Sequence, residues 1–116
     1  MFAIPTNSTL LFDQAIAQDL YQNLVVQINK DFNLANESLD VAIDVEPNEL
    51  KISVENKIYW LIQNKFAEYL NLLYIIDVSE PQIKELDGSD IKQLSEQVAF
   101  LILKREWLKV WYRKNF

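Results

Sequence analysis

The chain has 116 residues, half of them apolar and 12% aromatic, which is material for one domain that buries about two thirds of the surface its unfolded form exposes. It has no cysteine, no histidine and a single glycine, which excludes thiol nucleophiles, zinc or haem centres built on those ligands, the Ser-His-Asp triad, the Glu-x-x-His pairs of di-metal bundles and any glycine-rich phosphate loop. Charge is unevenly divided: residues 1–103 carry six Lys and sixteen Asp or Glu, net −10, and residues 104–116 carry five Lys or Arg and one Glu, net +4, which sum to −6.

With one glycine and three prolines the chain lacks the turns of an all-β fold, and all-α is the natural reading, as a single helical domain over residues 1–116. No uncharged apolar run approaches the roughly 18 residues of a membrane span, and no basic region precedes the first apolar residues, so a cytoplasmic protein is expected. In chain order, Ile16, Leu20, Leu24, Val25, Ile28 and Phe32 keep helical spacing and predict a first helix from Asp13 to about Leu34, capped by Asp13 or by Ser8 and Thr9. Asn33, Asn36 and Ser38 then stop it. Leu39, Val41, Ile43 and Val45 alternate with polar or small residues, the period of an extended segment over residues 39–45 that must find a strand partner or pack without a sheet.

Pro47 opens the longest segment with one period, carried by Leu50, Val54, Ile58, Leu61, Ile62, Phe66, Tyr69, Leu73 and Ile76, and a helix to about Val78 follows. A straight helix of that length would reach roughly 40 Å, so the chain is either an elongated bundle of three long helices and one short one, or this helix bends, near Glu68 to Asn71. Pro81 starts the short helix, to Leu86. Gly88 is expected to end it at positive φ, and Asp90 with Gln93 to cap a last helix from Ile91 to about Lys114. That helix carries Ile91, Leu94, Val98, Leu101, Leu108 and Tyr112 on one side and Phe100, Leu103, Trp107 and Trp111 on the adjoining one.

Motifs that touch on chemistry are weak. Ser89 to Lys92 fits S-x-x-K, but a capping serine and a first-turn lysine account for it. Asp40, Asp44, Glu46 and Glu49 lack the spacing of a calcium loop. Lys104 falls among Phe100, Trp107 and Trp111, where its stem is expected to lie on the rings with its ammonium in water or paired to a carboxylate such as Glu68 or Asp77. Neither a cofactor nor a metal is expected.

Two surfaces are candidates for partner binding. Trp60 lies between Lys57 and Asn64 on the polar side of the central helix, and with Leu70, Leu72, Tyr74 and Ile75 off the stripe, more apolar surface is present than a small monomer buries. Arg105, Lys109 and Arg113 stand at i, i+4 and i+8 beside Trp107 and Trp111, a basic aromatic stripe suited to phosphates or to the acidic body of the same fold. The leading expectation is a protein–protein interaction or scaffold module without catalysis, homodimeric and with an unidentified protein partner. The alternative is a nucleic acid or other polyanion on the C-terminal helix, disfavoured because a patch of +4 works against a body of −10.

Overall fold

The computed structural model describes residues 2–116, which form six helices and, among the described residues, no strand. They are α1 (Ser8–Ala17), α2 (Tyr21–Leu34), α3 (Pro47–Asn64), α4 (Phe66–Ile76), α5 (Glu80–Lys84) and α6 (Ile91–Asn115). The all-helical class stands. The elongated arrangement of three long helices and one short one does not, because two of the expected helices break.

The first break is at Asp19. Leu11, Phe12 and Ala15 of α1 and Leu24, Val25, Ile28 and Phe32 of α2 are buried, and on one straight helix these two sets would point to different sides. Breaking the helix lets both face one core. Asp19 takes a left-handed conformation (φ 56°), with Leu20 N–H donating to Ala15 C=O at 2.8 Å and Asp19 N–H to Ile16 C=O at 3.0 Å, the paired bonds of a Schellman ending. Asn36 and Asp77 end α2 and α4 in the same way. A chain with one glycine has thus placed Asp or Asn, the next most tolerant residues, at three left-handed helix ends. Gly88 is not among them: it sits in the turn before α6 without positive φ, which corrects the expectation. The α1 cap is Asn7, whose side chain accepts from Leu10 N–H at 2.9 Å, so the helix starts five residues before Asp13.

The second break is at Lys65 (φ −146°, ψ 69°), a few residues earlier than the expected bend. It folds α4 back so that Tyr69, Leu72, Leu73 and Ile76 join the core with Leu50, Val54, Ile58 and Leu61 of α3. Of the residues expected off the core, Leu72 is therefore buried.

Residues 39–45 form no strand. Asp40 at φ 53° and a turn at Ile43 and Asp44 interrupt the alternation, while Leu39, Val41 and Val45 pack against the core. Side chains replace the missing ladder: Asn29 of α2 donates to Val41 C=O at 2.9 Å and accepts from Val41 N–H at 3.2 Å, and the Tyr21 hydroxyl donates to Val45 C=O. Burial, with the nearby Glu46 carboxylate, pushes the Tyr21 phenol up to about 12, so it stays a donor at any ordinary pH.

α6 is the post around which the rest is arranged, packing on α1, α2, α3 and α4. Its 25 residues give about 38 Å at 1.5 Å per residue, close to the longest of the 36 × 27 × 24 Å dimensions of the fold. Its buried face is Ser95, Val98, Ala99, Ile102, Leu103, Glu106, Trp107 and Val110, rotated from the expected one: Ile91 and Tyr112 are exposed and Leu101 and Leu108 half-buried. Two polar residues, Ser95 and Glu106, occupy the true core stripe and hide it from an apolar-spacing argument. Ser95 is satisfied by donating to Ile91 C=O at 2.8 Å. Asp90 caps the helix, accepting from Gln93 N–H at 3.1 Å.

Candidate functional site

The basic residues of α6 do not act as one surface. Arg105 turns to the left-handed end of α4, its Nε donating to Asp77 C=O and its terminal nitrogen to Asp77 Oδ2, both at 3.1 Å. Lys109 turns inward, with Nζ 2.7 Å from Asp31 Oδ2 on α2 and 3.0 Å from Glu106 Oε1 one turn back. Arg113, the last of the stripe, faces solvent with no carboxylate within 4 Å among the described residues, and so does Lys114 beside it.

Of the tryptophans, Trp107 is fully buried and its indole N–H donates to Gln14 Oε1 at 2.9 Å; it locks α6 to α1 and is not a partner-binding residue. Trp111 is half-buried under Phe2, with ring centroids 4.1 Å apart. Trp60 is 46% exposed, as its place on the polar side of α3 predicts, with the Lys65 ammonium 5.7 Å from the ring centroid. Lys104 lies 5.9 Å from the Phe100 ring, and neither Glu68 nor Asp77 pairs with it.

Beneath the stripe lies a buried polar cluster that apolar spacing alone does not reveal. Asp31 receives Lys109 and, at 3.0 Å, the side-chain amide of Gln27, while Glu106 is fully buried and, among the described residues, has only the Lys109 ammonium within 4 Å as an oppositely charged neighbour. One cation therefore serves two carboxyls. Burial, reinforced by Asp31, pushes Glu106 up to about 9 against the pull of Lys109, so it is protonated at neutral pH. Burial also works against ionised Asp31, but the adjacent Glu106 carboxyl and the donors Lys109 and Gln27, at 2.7 and 3.0 Å, outweigh it and hold Asp31 below the usual carboxylate range. The signal for this cluster was present: Glu106 stands four residues from both Ile102 and Val110, a charge inside an apolar spacing.

Next to this cluster, α2 and the last turns of α6 border a groove of about 540 Å³. Lys30, Arg113 and Lys114 line it together with the amide side chains of Gln22, Asn23 and Gln27, and no carboxylate does. A larger groove of about 720 Å³ between the starts of α1 and α3 and the middle of α6 has walls of mixed charge, Lys51 being paired to Glu55 at 3.8 Å. Among the described residues no group of His, Cys, Asp or Glu could hold a metal ion, and no helix is long and apolar enough to cross a membrane.

The other exposed feature is apolar. Phe66, Leu70 and Tyr74 stand at i, i+4 and i+8 of α4 and are 55%, 50% and 83% exposed, beside the buried face of that helix. Comparison with known protein families, with curated proteins and with solved structures finds no match to this chain.

Proposed function

We propose that this chain is a small cytoplasmic interaction module that works by presenting surfaces, carries no catalytic chemistry of its own, and assembles as a homodimer. The observation that supports it is the outward stripe of α4, three large apolar side chains on one helical face. Glu68 is the one charge in α4 and lies on another side of the helix, and Asp77, one turn beyond the stripe, is neutralised by Arg105. That matters for a self-partner. Each copy carries −6, so two copies repel at range, but screening limits this to about 8 Å at physiological salt and an uncharged stripe lets them meet at close range. A two-fold pairing of antiparallel α4 helices puts Leu70 near the axis and Phe66 of each copy against Tyr74 of the other. Trp60 on α3 enters this reading as an interface anchor of the kind that carries binding energy. Nucleic acid is left out of it, because Arg105 and Lys109 are already paired within the fold.

Light scattering across a concentration series tests the proposal. The wild-type chain should show twice its 13.7 kDa mass. Leu70→Asp should give a monomer with an unchanged circular dichroism spectrum, and Trp60→Ala should weaken the dimer by about 2 kcal/mol. A chain that stays monomeric at high micromolar concentration sinks the reading.

A further inference from the structure

Among the described residues, six of the eleven Lys and Arg lie within 4 Å of a carboxylate, which leaves five, Lys30, Lys92, Lys104, Arg113 and Lys114. Three of those five line the single groove between α2 and the end of α6. In a chain whose first 103 residues carry net −10, carboxylates are abundant, so a concave site that gathers three cations and no carboxylate is the exception on this surface. Lys109 does not add to it, since Asp31 neutralises that charge beneath the groove. Gln27 joins the two regions: it lines the groove while its amide nitrogen is held by Asp31 at 3.0 Å.

We infer that this groove binds a compact phosphate-bearing small molecule carrying two or three negative charges. Three cations exceed what a single carboxylate can neutralise but match a diphosphate, and the guanidinium fork of Arg113 has the geometry for phosphate oxygens. The Gln22 and Asn23 amides add neutral donors beside it. Val26, Ile43 and Val110 supply an aliphatic wall for the uncharged part of the ligand. The volume of about 540 Å³ falls within the roughly 300–1,000 Å³ typical of small-ligand sites. An extended polyanion is disfavoured because it would leave the groove and run along the acidic body, whereas a compact ligand meets the local charge alone. This site is independent of the α4 stripe, and neither depends on the other.

Calorimetric titration of the full chain with inorganic pyrophosphate is the test. Saturable binding with one ligand per chain, weakening as salt rises, is expected. Lys30→Ala combined with Arg113→Ala should weaken it about a hundredfold, at about tenfold for each charge-assisted hydrogen bond removed. Lys92→Ala combined with Lys104→Ala removes the same charge from outside the groove and should change the affinity by less than about threefold. All four side chains are at least partly exposed, so the variants should fold, and thermal melts verify this. The inference is overturned by absence of saturable binding, by equal weakening in the two double variants, or by duplex DNA displacing pyrophosphate with higher affinity.

Discussion

Lys109 and Arg113 are one helical turn apart on the same basic stripe of α6, yet one is among the most enclosed cations of the chain and the other stands free. The difference lies in what passes by. At Lys109, α2 brings Asp31 to 2.7 Å, in a place where an unpaired charge could not remain. At Arg113 the helix has run past Asp31, the one acidic residue of α2, and the groove beside it holds cations, amides and aliphatics. Cations of equal formal charge on one face thus serve opposite ends, closing the core in one case and leaving a local positive field in the other.

Removing the inner cation should have the largest effect. Lys109→Met leaves ionised Asp31 buried with Gln27 and neutral Glu106, and should lower unfolding free energy by about 3 kcal/mol in urea denaturation; a loss below about 1 kcal/mol would mean the cluster is wet and the contrast with Arg113 is false. Glu106 gives an effect of opposite sign. Its folded value of about 9 lies above its ordinary 4.5, so the folded chain keeps a proton that the unfolded chain releases, and stability drains away as pH rises from about 4.5 until about 9. Glu106→Gln removes that loss while keeping a donor toward Asp31. It should be neutral at pH 4 and stabilise by about 3 kcal/mol at pH 7, with a larger gain at pH 8, in melts followed across pH. A gain that does not grow with pH would show that Glu106 is ionised in the fold.

The outer cations should matter least. Arg105→Ala breaks an exposed pair and should cost under about 1 kcal/mol, and Arg113→Ala should stay within about 0.5 kcal/mol in the same denaturation experiment. If Arg113→Ala destabilised the chain as much as Lys109→Met, the free end of the stripe would have a partner within the fold.

How far these features can be read from the chain varies by residue. Leu50, Val54, Ile58 and Leu61 were legible as the buried face of α3 because four apolar residues at strict spacing had no polar residue among them. The corresponding face of α6 was not, since Ser95 and Glu106 sit in it and Leu101 and Leu108 mimic it on the side. Trp60 was legible as an outward residue. Trp107 was not legible as a core residue, because its burial depends on Gln14, 93 positions earlier, meeting its indole nitrogen.

Helix content, the absence of thiol and imidazole chemistry, the stops at Asn36 and Asp77 and the acidic-to-basic split follow from the chain alone, because each depends on composition or on residues a few positions apart. The breaks at Asp19 and Lys65, the choice of buried face on α6, the capture of Lys109 by Asp31 and the freedom of Arg113 were decided only when the helices packed. Spacing along a segment defines a stripe, but which stripe turns inward and which charge finds a partner depend on the neighbouring helix, and that pairing joins residues tens of positions apart.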